Sequence, residues 1–203
     1  MGELKERNYT LEKKETSKKR VILEIGGGEN PITSKLVPEQ DRIVQLAKNN
    51  QATYICLEPR SNQDIATGKE RTYVFGNITE NCKWIRATGE QLPFKNGTID
   101  EILIIDVLSV IRVSEYTHRN EKINLKKDII KLLLQECYRV LTLKGELKII
   151  ENCTPDPDES DLICLANNQK FELVERQELS NYDNASVSMG AYALVFMKSK
   201  FNV

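Results

Sequence analysis

Residues 21–31, with the sequence VILEIGGGENP, constrain the fold of this chain more than any other stretch. The short apolar run of Val21, Ile22, Leu23 and Ile25 is typical of a strand that is buried on both faces of a parallel sheet. Three consecutive glycines follow, Gly26, Gly27 and Gly28. Because glycine has no Cβ, they allow backbone torsions and a close approach of a ligand that other residues would block. The stretch therefore predicts a buried strand that ends in a glycine turn.

The residues after the glycines predict the start of a helix. Asn30 is a good N-cap, and Pro31 suits the first helical turn, where its missing N–H costs nothing. A strand, a glycine turn and a helix start form the arrangement that brings a nucleotide to a helix N-terminus. Glu24 adds an acid just before the turn. An ordinary tight connection between a strand and a helix is the alternative interpretation.

The fingerprint of dinucleotide-binding proteins does not fit this stretch. It requires a glycine three residues after the second glycine of its pair, and counting from Gly28 that position holds Pro31. It also requires an acid about 20 residues after the glycines, where the chain reads Gln45-Leu46-Ala47-Lys48. The pattern therefore argues against NAD on two counts.

A second apolar run, Tyr54–Leu57, ends at Glu58 and Pro59. We predict a parallel strand here, with an acid at its carboxyl end. In open α/β sheets, ligands bind beyond the carboxyl ends of the strands, near the point where the strand order reverses. A carboxylate at that place can accept two hydrogen bonds from a ribose diol, so Glu58 is a candidate ribose ligand. A surface glutamate that opens a loop is the alternative.

The pattern Glu24-x-Gly26-x-Gly28-x-Asn30 resembles motif I of the class I S-adenosylmethionine-dependent methyltransferases, with Asn30 in place of the usual third glycine. The resemblance implies S-adenosylmethionine as the cofactor and S-adenosylhomocysteine as its product. It also implies that motif I and the acid after the second strand contact the cofactor. These residues are Glu24, Gly26, Gly27, Gly28, Asn30, Glu58 and Pro59.

A second segment carries a more specific likeness. Thr88–Phe94 reads TGEQLPF, and Ile99–Asp106, an apolar run bounded by acids, follows it. Together they resemble a region of the methyltransferases of ubiquinone and menaquinone biosynthesis. By this resemblance the loop Thr88–Gln91 lines the adenine, and its cofactor-binding residues are Thr88, Gly89 and Glu90. The run Ile99–Asp106 also predicts a central strand of the sheet.

Two residues are candidates for a role in catalysis. Asp106 ends the central strand, and the resemblance puts it near the methionine part of the cofactor or the incoming substrate. An acid there can pair with an ammonium group, or orient or deprotonate a nucleophile. His118, the only histidine, lies in the polar segment 112–128, which we predict as a loop, and it is a candidate general base. A plain strand-end aspartate and a solvated histidine are the alternatives.

The second half of the chain predicts a helix over residues 125–141 and strands at Leu147–Glu151, Phe171–Leu179 and Ala191–Met197. The segment Arg139–Gly145 resembles the family's RVLKPGG helix–turn–strand. The resemblance implies an α/β fold of a single Rossmann-like methyltransferase domain. Its sheet is mostly parallel and seven-stranded, with strand order 3-2-1-4-5-7-6, an antiparallel edge and helices on both faces.

Length and charge limit the remaining possibilities. The 203 residues suffice for one domain, and we predict a basic N-terminal tail, residues 1–20, followed by the methyltransferase domain, residues 21–203. The tail carries seven Lys and Arg residues against four Glu residues, whereas the whole chain has a net charge of −1. No apolar run is long enough to cross a bilayer, and no secretory signal follows Met1, so we predict a cytoplasmic protein without a membrane partner. The five scattered cysteines form no C-x-x-C pair, so we predict no metal site.

Three functions are compatible with these patterns. The leading prediction is methyl transfer to a small metabolite or natural-product intermediate by in-line displacement, because the near-neutral charge gives no general attraction to nucleic acid. The second is a methyltransferase that acts on protein or RNA and uses the basic tail. The third is a catalytically silent methyltransferase-like binding partner, since Asn30, Thr88 and Lys144 depart from the family's pattern. No motif specifies the methyl acceptor or the oligomeric state.

Overall fold

The computed structural model describes residues 18–26, 39–57, 81–105, 107–108, 119–152, 158–179 and 191–199. Within these ranges the chain forms seven strands and three helices. The strands are β1 (Arg20–Ile25), β2 (Ala52–Leu57), β3 (Cys82–Ile85), β4 (Ile99–Ile105), β5 (Leu141–Asn152), β6 (Phe171–Leu179) and β7 (Ala191–Lys198). The helices are α1 (Glu39–Lys48), α2 (Arg119–Val140) and α3 (Glu159–Asn168).

All seven strands belong to one sheet, in the order β3-β2-β1-β4-β5-β7-β6. The pairs among β1 to β5 are parallel, and β7 runs antiparallel to both of its neighbours, β5 and β6. The strand order and the antiparallel edge implied by the resemblance are therefore confirmed. The order reverses between β1 and β4, since the chain first builds outward through β2 and β3 and then returns to the other side of β1. That reversal is the place where open α/β sheets bind their ligands.

Helices cover both faces of the sheet, as the resemblance implies. On one face, Ile43 and Ala47 of α1 pack against Ile22 and Tyr54. On the other face, α2 and α3 cover the larger apolar cluster, to which Leu133 and Leu162 contribute. The central strands are buried on both sides, which explains why β1, β2 and β4 are nearly continuous apolar runs.

The strands predicted from apolar runs are confirmed, and the prediction of Phe171–Leu179 matches β6 at both ends. The predicted loop 112–128 is wrong in its second part, because α2 begins at Arg119. The first turns of α2, with the sequence RNEKINLKKD, are mostly polar, so they lack the apolar period by which the rest of the helix was recognised. The turn predicted within Arg139–Gly145 falls inside β5, which follows α2 directly at Leu141. The pairing of β4 with β5 passes from Ile99 and Leu141 to Glu101 and Glu146, so residues 142–145 bulge out of the register.

The helix α3 was not predicted. Its N-cap is Asp158, whose side chain accepts a hydrogen bond from the backbone N–H of Asp161 at 2.8 Å. That hydrogen bond is the main cause that lowers the pKa of Asp158. The buried residues Leu162 and Ala166 dock α3 on the sheet. The sequence of residues 154–160, TPDPDES, has the proline- and aspartate-rich composition that is typical of a turn, so composition alone does not reveal the cap.

A buried ion-pair cluster lies at the amino end of the sheet, opposite to the edge where the ligand is expected. Glu101 of β4 is only 2% exposed. It accepts a hydrogen bond from Arg20 of β1 at 3.1 Å and also pairs with Arg42 of α1. The cluster ties two central strands and a helix together. We assign it a structural role because it lies at the edge of the sheet away from the strand-order reversal.

The described part of the chain contains no helix that is long and apolar enough to cross a membrane. The division into a tail of residues 1–20 and a domain of residues 21–203 stays a prediction, because most of the tail lies outside the described residues.

Candidate functional site

The carboxyl ends of β1, β2 and β4 lie side by side. Ile25 at the end of β1 pairs with Leu57 of β2 and with Ile104 of β4. The N–H of Gly26 donates to the carbonyl oxygen of Leu57 at 2.9 Å, which extends the pairing by one residue beyond β1. Gly26 has a φ of +79°, a left-handed conformation that residues with a Cβ disfavour. The chain therefore turns at the first of the three glycines, as predicted.

The turn that follows β4 packs directly on this glycine. A Cβ added to Gly26 would overlap Cγ2 of Val107. Two features thus disfavour any residue with a Cβ at position 26, namely the positive φ of the backbone and the close approach of Val107. Two segments on opposite sides of the strand-order reversal are in contact through this pair.

Glu24, the acid of the glycine motif, is buried under the turn. It is 3% exposed, and the hydroxyl of Tyr54 donates a hydrogen bond to its Oε2 atom. Burial raises the pKa of Glu24 well above its ordinary value, because a surrounding of low polarity disfavours the charged carboxylate. The hydrogen bond from Tyr54, in the middle of β2, ties that strand to β1 beneath the glycine turn.

The segment predicted to line the adenine lies against the end of β1. A Cβ on Gly89 would lie 2.5 Å from Cδ1 of Leu133 in α2 and 3.5 Å from Cγ2 of Ile25. The side chains of its neighbours Thr88 and Glu90 are exposed. This loop therefore presents two polar side chains beside the glycine turn, on the face of the sheet that carries α2.

Two residues of α2 clamp the continuation of that loop. The Glu136 carboxylate accepts the backbone N–H of Leu92 at 2.9 Å. The Arg139 guanidinium donates to the carbonyl oxygens of Leu92 at 2.9 Å and of Phe94 at 2.7 Å, and it also pairs with Glu136. The hydrogen bond from Arg139 is the main cause that lowers the pKa of Glu136. The pair of Glu136 and Arg139 thus holds the backbone of Leu92 and Phe94, where the chain leaves the loop of Thr88 and Glu90.

A third buried acid lies at the carboxyl end of β5. Glu151 is 2% exposed, and its Oε1 atom accepts the backbone N–H groups of Val107 at 2.8 Å and of Leu108 at 2.7 Å. These are consecutive residues of the turn after β4. Two buried acids, Glu24 and Glu151, therefore lie near the carboxyl ends of the central strands, and Glu136 holds the chain that leads from the loop of Thr88 and Glu90 back to the start of β4.

The described ranges contain no group of three or more His, Cys, Asp or Glu residues that could hold a metal ion. The polar groups that the described residues place at this edge are carboxylates, hydroxyls and backbone groups. The exposed side chains among them, Thr88 and Glu90, suit a ligand that carries hydroxyl and amino groups, since a carboxylate can accept charge-assisted hydrogen bonds.

The fold was compared with known proteins. No family model matches the sequence, and no curated protein matches it. Among solved structures, a methyltransferase from Methanosarcina mazei that depends on S-adenosylmethionine aligns with a TM-score of 0.61 at 12% identity, over 89% of this chain and 93% of its own. The 1,6-didemethyltoxoflavin-N1-methyltransferase of Burkholderia thailandensis, solved with S-adenosylhomocysteine, aligns with a TM-score of 0.58 at 12% identity, over 90% and 72%. The cyclase SpnF aligns with a TM-score of 0.57 at 12% identity, over 89% and 76%.

This chain has the class I methyltransferase fold. The identities are too low to carry more than the fold. The narrower likeness to the ubiquinone and menaquinone enzymes stays a prediction. Gly26, in the turn after β1, and Gly89, in the loop after β3, both lie next to Ile25.

Five of the predicted site residues of this methyltransferase fold lie in the described ranges. They are Glu24, Gly26, Thr88, Gly89 and Glu90, and the structure brings all of them to the carboxyl edge of β1. The others are Gly27, Gly28, Asn30, Glu58, Pro59, Asp106 and His118, and they lie outside the described residues. Their roles stay predictions, as does contact of the five with a ligand.

Sequence reasoning missed two parts of the site. Glu151 was assigned only to the end of a strand, although a single acid after an apolar run at the carboxyl end of a parallel strand is the same signal that selected Glu58. Arg139 was interpreted as part of a structural helix–turn–strand motif. Its contacts with Leu92 and Phe94 lie more than forty residues away in sequence, and no local pattern reveals them.

Proposed function

We propose that this protein is an S-adenosylmethionine-dependent methyltransferase that acts on a small metabolite or natural-product intermediate. The observation that carries the proposal is the turn at Gly26, where the strand order reverses and the loop of Thr88 and Glu90 comes beside the same strand end. A nucleoside ligand binds at such a point in open α/β sheets. The methyltransferase fold of the chain adds to this support.

The residues at the carboxyl edge fit such a cofactor in their chemistry. Glu58, with Pro59 beside it, follows β2 directly and supplies a carboxylate for the ribose diol. Thr88, Gly89 and Glu90 offer polar side chains and backbone groups to the adenine. The remaining motif residues, Glu24, Gly26, Gly27, Gly28 and Asn30, are assigned to the rest of the cofactor by the motif.

The protein's contribution to catalysis in this proposal is alignment. When bound, S-adenosylmethionine supplies a methyl group already activated on a sulfonium, and S-adenosylhomocysteine is left. The site has to hold an O, N, S or C atom of the acceptor in line with the methyl carbon and the sulfur, and good alignment is worth about 7–11 kcal/mol of the barrier. Asp106, which follows β4 in the sequence, is assigned to orient the acceptor or take its proton, and His118 is the alternative general base.

A small acceptor is favoured by two observations. The chain has a net charge of −1, which gives no general attraction to the phosphates of RNA. The aligned enzyme of Burkholderia thailandensis is a methyltransferase of 1,6-didemethyltoxoflavin. A protein or RNA substrate is the second candidate, because the residues 1–20 carry an excess of Lys and Arg.

A catalytically silent binding partner is the third candidate. The alignment with SpnF supports this candidate, because SpnF is a cyclase, so a protein with the same fold can have an activity other than methyl transfer. Fold alone never specifies chemistry. The three candidates differ in what they bind and in where a methyl group goes, and both quantities can be measured.

Calorimetry with S-adenosylmethionine and S-adenosylhomocysteine tests the cofactor. The wild-type protein is expected to bind both, and Glu58→Ala is expected to weaken binding at least about tenfold, since each tenfold corresponds to about 1.4 kcal/mol and a hydrogen bond to a charged group is worth about 1.5–3 kcal/mol. The matched control is Glu172→Ala, which removes an exposed glutamate from the edge strand β6. No binding by the wild-type protein, or equal losses in the two variants, overturns the assignment.

Transfer of a labelled methyl group into a cell extract tests the acceptor class. Label in the small-molecule fraction supports the leading proposal, and label in protein or RNA supports the second candidate. RNA binding that weakens steeply with salt adds weight to the second candidate, because phosphate contacts release counterions. Firm cofactor binding without label in any fraction leaves the silent partner. Once an acceptor is known, the pH–rate profiles of Asp106→Asn and His118→Ala distinguish the two bases.

A further inference from the structure

Glu151 makes an unusual pair of contacts for a buried acid. Its Oε1 atom accepts the N–H of Val107 at 2.8 Å and the N–H of Leu108 at 2.7 Å, from a turn that lies 44 and 43 residues earlier in the chain. Leu108 is 1% exposed, so its N–H has no access to bulk water. The carboxylate therefore satisfies backbone groups of an element that is not its own.

This contact fixes more than the two residues. The N–H of Val107 belongs to the peptide group that joins residues 106 and 107, so the carboxylate restrains the backbone immediately after the candidate catalytic residue Asp106. Side-chain packing carries the restraint further, because Val107 Cγ2 lies against the Cα of Gly26. A chain of contacts thus runs from the end of β5, through the turn after β4, to the glycine turn of β1.

A buried carboxylate is an unfavourable way to fill space. Removing it from water costs free energy that apolar packing does not, and the cost is offset only by hydrogen bonds such as these. A leucine or isoleucine at position 151 would continue the apolar run of β5 but would leave two consecutive N–H groups without an acceptor. The glutamate at position 151 is therefore explained by its hydrogen bonds to the turn after β4 and not by packing in the core.

We propose that Glu151 is a positioning residue, which holds the turn after β4 against the glycine turn and so sets the shape of the cofactor site. It acts through Val107 and Leu108 rather than by contact with a ligand. The inference rests on the proposed function where it concerns the cofactor. The restraint on the two turns stands on the contacts alone.

Glu101 provides a matched control. It is also a glutamate on a central strand, it is equally buried at 2% exposure, and it also accepts two or more hydrogen bonds. Its partners are Arg20 and Arg42 at the amino end of the sheet, so its loss disturbs stability without reaching the turns. Glu101→Gln and Glu151→Gln are therefore comparable in burial and differ in location.

The experiment compares Glu151→Gln and Glu151→Ala with Glu101→Gln. Amide hydrogen exchange is measured at Val107, Leu108 and Gly26, together with calorimetry of S-adenosylhomocysteine and the urea midpoint of unfolding. We expect exchange at all three amides to accelerate at least tenfold in Glu151→Ala and less in Glu151→Gln, whose amide oxygen remains an acceptor. Glu101→Gln is expected to lower the urea midpoint but to leave the three amides unchanged.

The affinity readout extends the comparison to the ligand. Glu151→Gln is expected to raise the Kd for S-adenosylhomocysteine about tenfold, and Glu101→Gln less than twofold. Unchanged exchange at Gly26 in both Glu151 variants, or equal losses of affinity in Glu151→Gln and Glu101→Gln, overturns the proposal. If the wild-type protein binds no cofactor, the proposed function fails, while the exchange rates still decide whether Glu151 holds the two turns. Should Glu151→Ala not fold, Glu151→Gln carries the same comparison.

Discussion

Cγ2 of Val107 occupies the place that a Cβ of Gly26 would need. This single contact joins the turn after β4 to the turn after β1, at the point where the strand order reverses. Space beside the glycine is therefore filled by protein, and the glycine is needed for close packing of two turns as well as for its backbone torsion. The contact gives a direct test of how much of the site depends on that packing.

Gly26→Ala is expected to destabilise the protein by two separable effects. The left-handed conformation of a residue with a Cβ costs about 1–2 kcal/mol, and overpacking against Val107 adds about 1–3 kcal/mol. Gly97→Ala is the control, because Gly97 also has a positive φ, of +65°, but a Cβ there has no atom within 4 Å. Urea unfolding of both variants measures the difference. Adding Val107→Ala to Gly26→Ala should restore part of the loss, and no restoration would contradict overpacking as its cause.

Arg139→Ala is expected to loosen the loop that carries Thr88 and Glu90. The guanidinium makes hydrogen bonds to two backbone carbonyl oxygens and pairs with Glu136, so its loss should cost about 2 kcal/mol of unfolding free energy. Arg139→Lys should recover less than half of that, because an ammonium group cannot match the fork of a guanidinium. S-adenosylhomocysteine binding, measured by calorimetry, should weaken about tenfold in Arg139→Ala.

The control for Arg139 is Arg176 on the edge strand β6. Arg176 pairs with Glu159 and Glu178 and is 46% exposed. Pairs of this exposed kind are worth about 0–1 kcal/mol, so Arg176→Ala should change the unfolding free energy little and leave binding as it is. A loss of affinity in Arg176→Ala as large as that in Arg139→Ala would contradict a specific role of the loop clamp.

The sequence predicts those parts of the structure that depend on the order of residues within a short segment. β1 and the turn at Gly26 follow from an apolar run and three glycines, and β4 follows from a run bounded by acids. Strand order followed from family resemblance, since no local pattern says which strands are neighbours. The helix α3 was missed because its N-cap, Asp158, lies in a segment whose composition predicts a turn.

The contacts that build the site are of another kind. Glu151 reaches Val107 across 44 residues, and Arg139 reaches Leu92 across 47. Each joins a charged side chain to backbone groups, which have the same donors and acceptors whatever the residue, so the sequence at the receiving end contains no sign of the contact. The backbone partner of a buried acid or of a clamping arginine therefore becomes recognisable only when the fold has brought the two segments together.

The cysteines should react in an order set by burial. Cys164 is exposed, Cys137 is buried, and Cys82 is partly buried with its pKa raised by burial to about 11. At pH 8 only about one Cys82 thiol in a thousand is then ionised, and the thiolate is the reactive form. Among these three cysteines, an aromatic disulfide reagent added to the native protein should therefore modify Cys164 first, with the sites assigned by peptide mapping. Cys164→Ser should remove the phase assigned to Cys164, and a faster phase assigned to Cys82 would contradict the expected order.

Glu24 should make the protein less stable as the pH rises. Because burial raises the pKa of Glu24 above its ordinary value of 4.5, the folded chain keeps the proton to a higher pH than the unfolded chain does. Where the folded state binds more protons, unfolding free energy falls with increasing pH. The contribution of Glu24 is therefore most favourable below pH 4.5, falls as the pH rises through that value, and levels off above the raised pKa of the folded state.

Glu24→Gln removes this titration and keeps an oxygen that can accept the hydrogen bond from Tyr54. The unfolding free energy of the variant minus that of the wild-type protein is expected to increase with pH above about 4.5, because only the wild-type protein has to bury a charge. Urea unfolding at several pH values measures this difference. If the new amide lowers the unfolding free energy by an amount that does not depend on pH, the difference shifts equally at every pH and its slope against pH is unchanged. A difference that is flat or falls with pH would mean that the carboxylate of Glu24 is compensated in the folded protein, and that it can remain charged under the glycine turn.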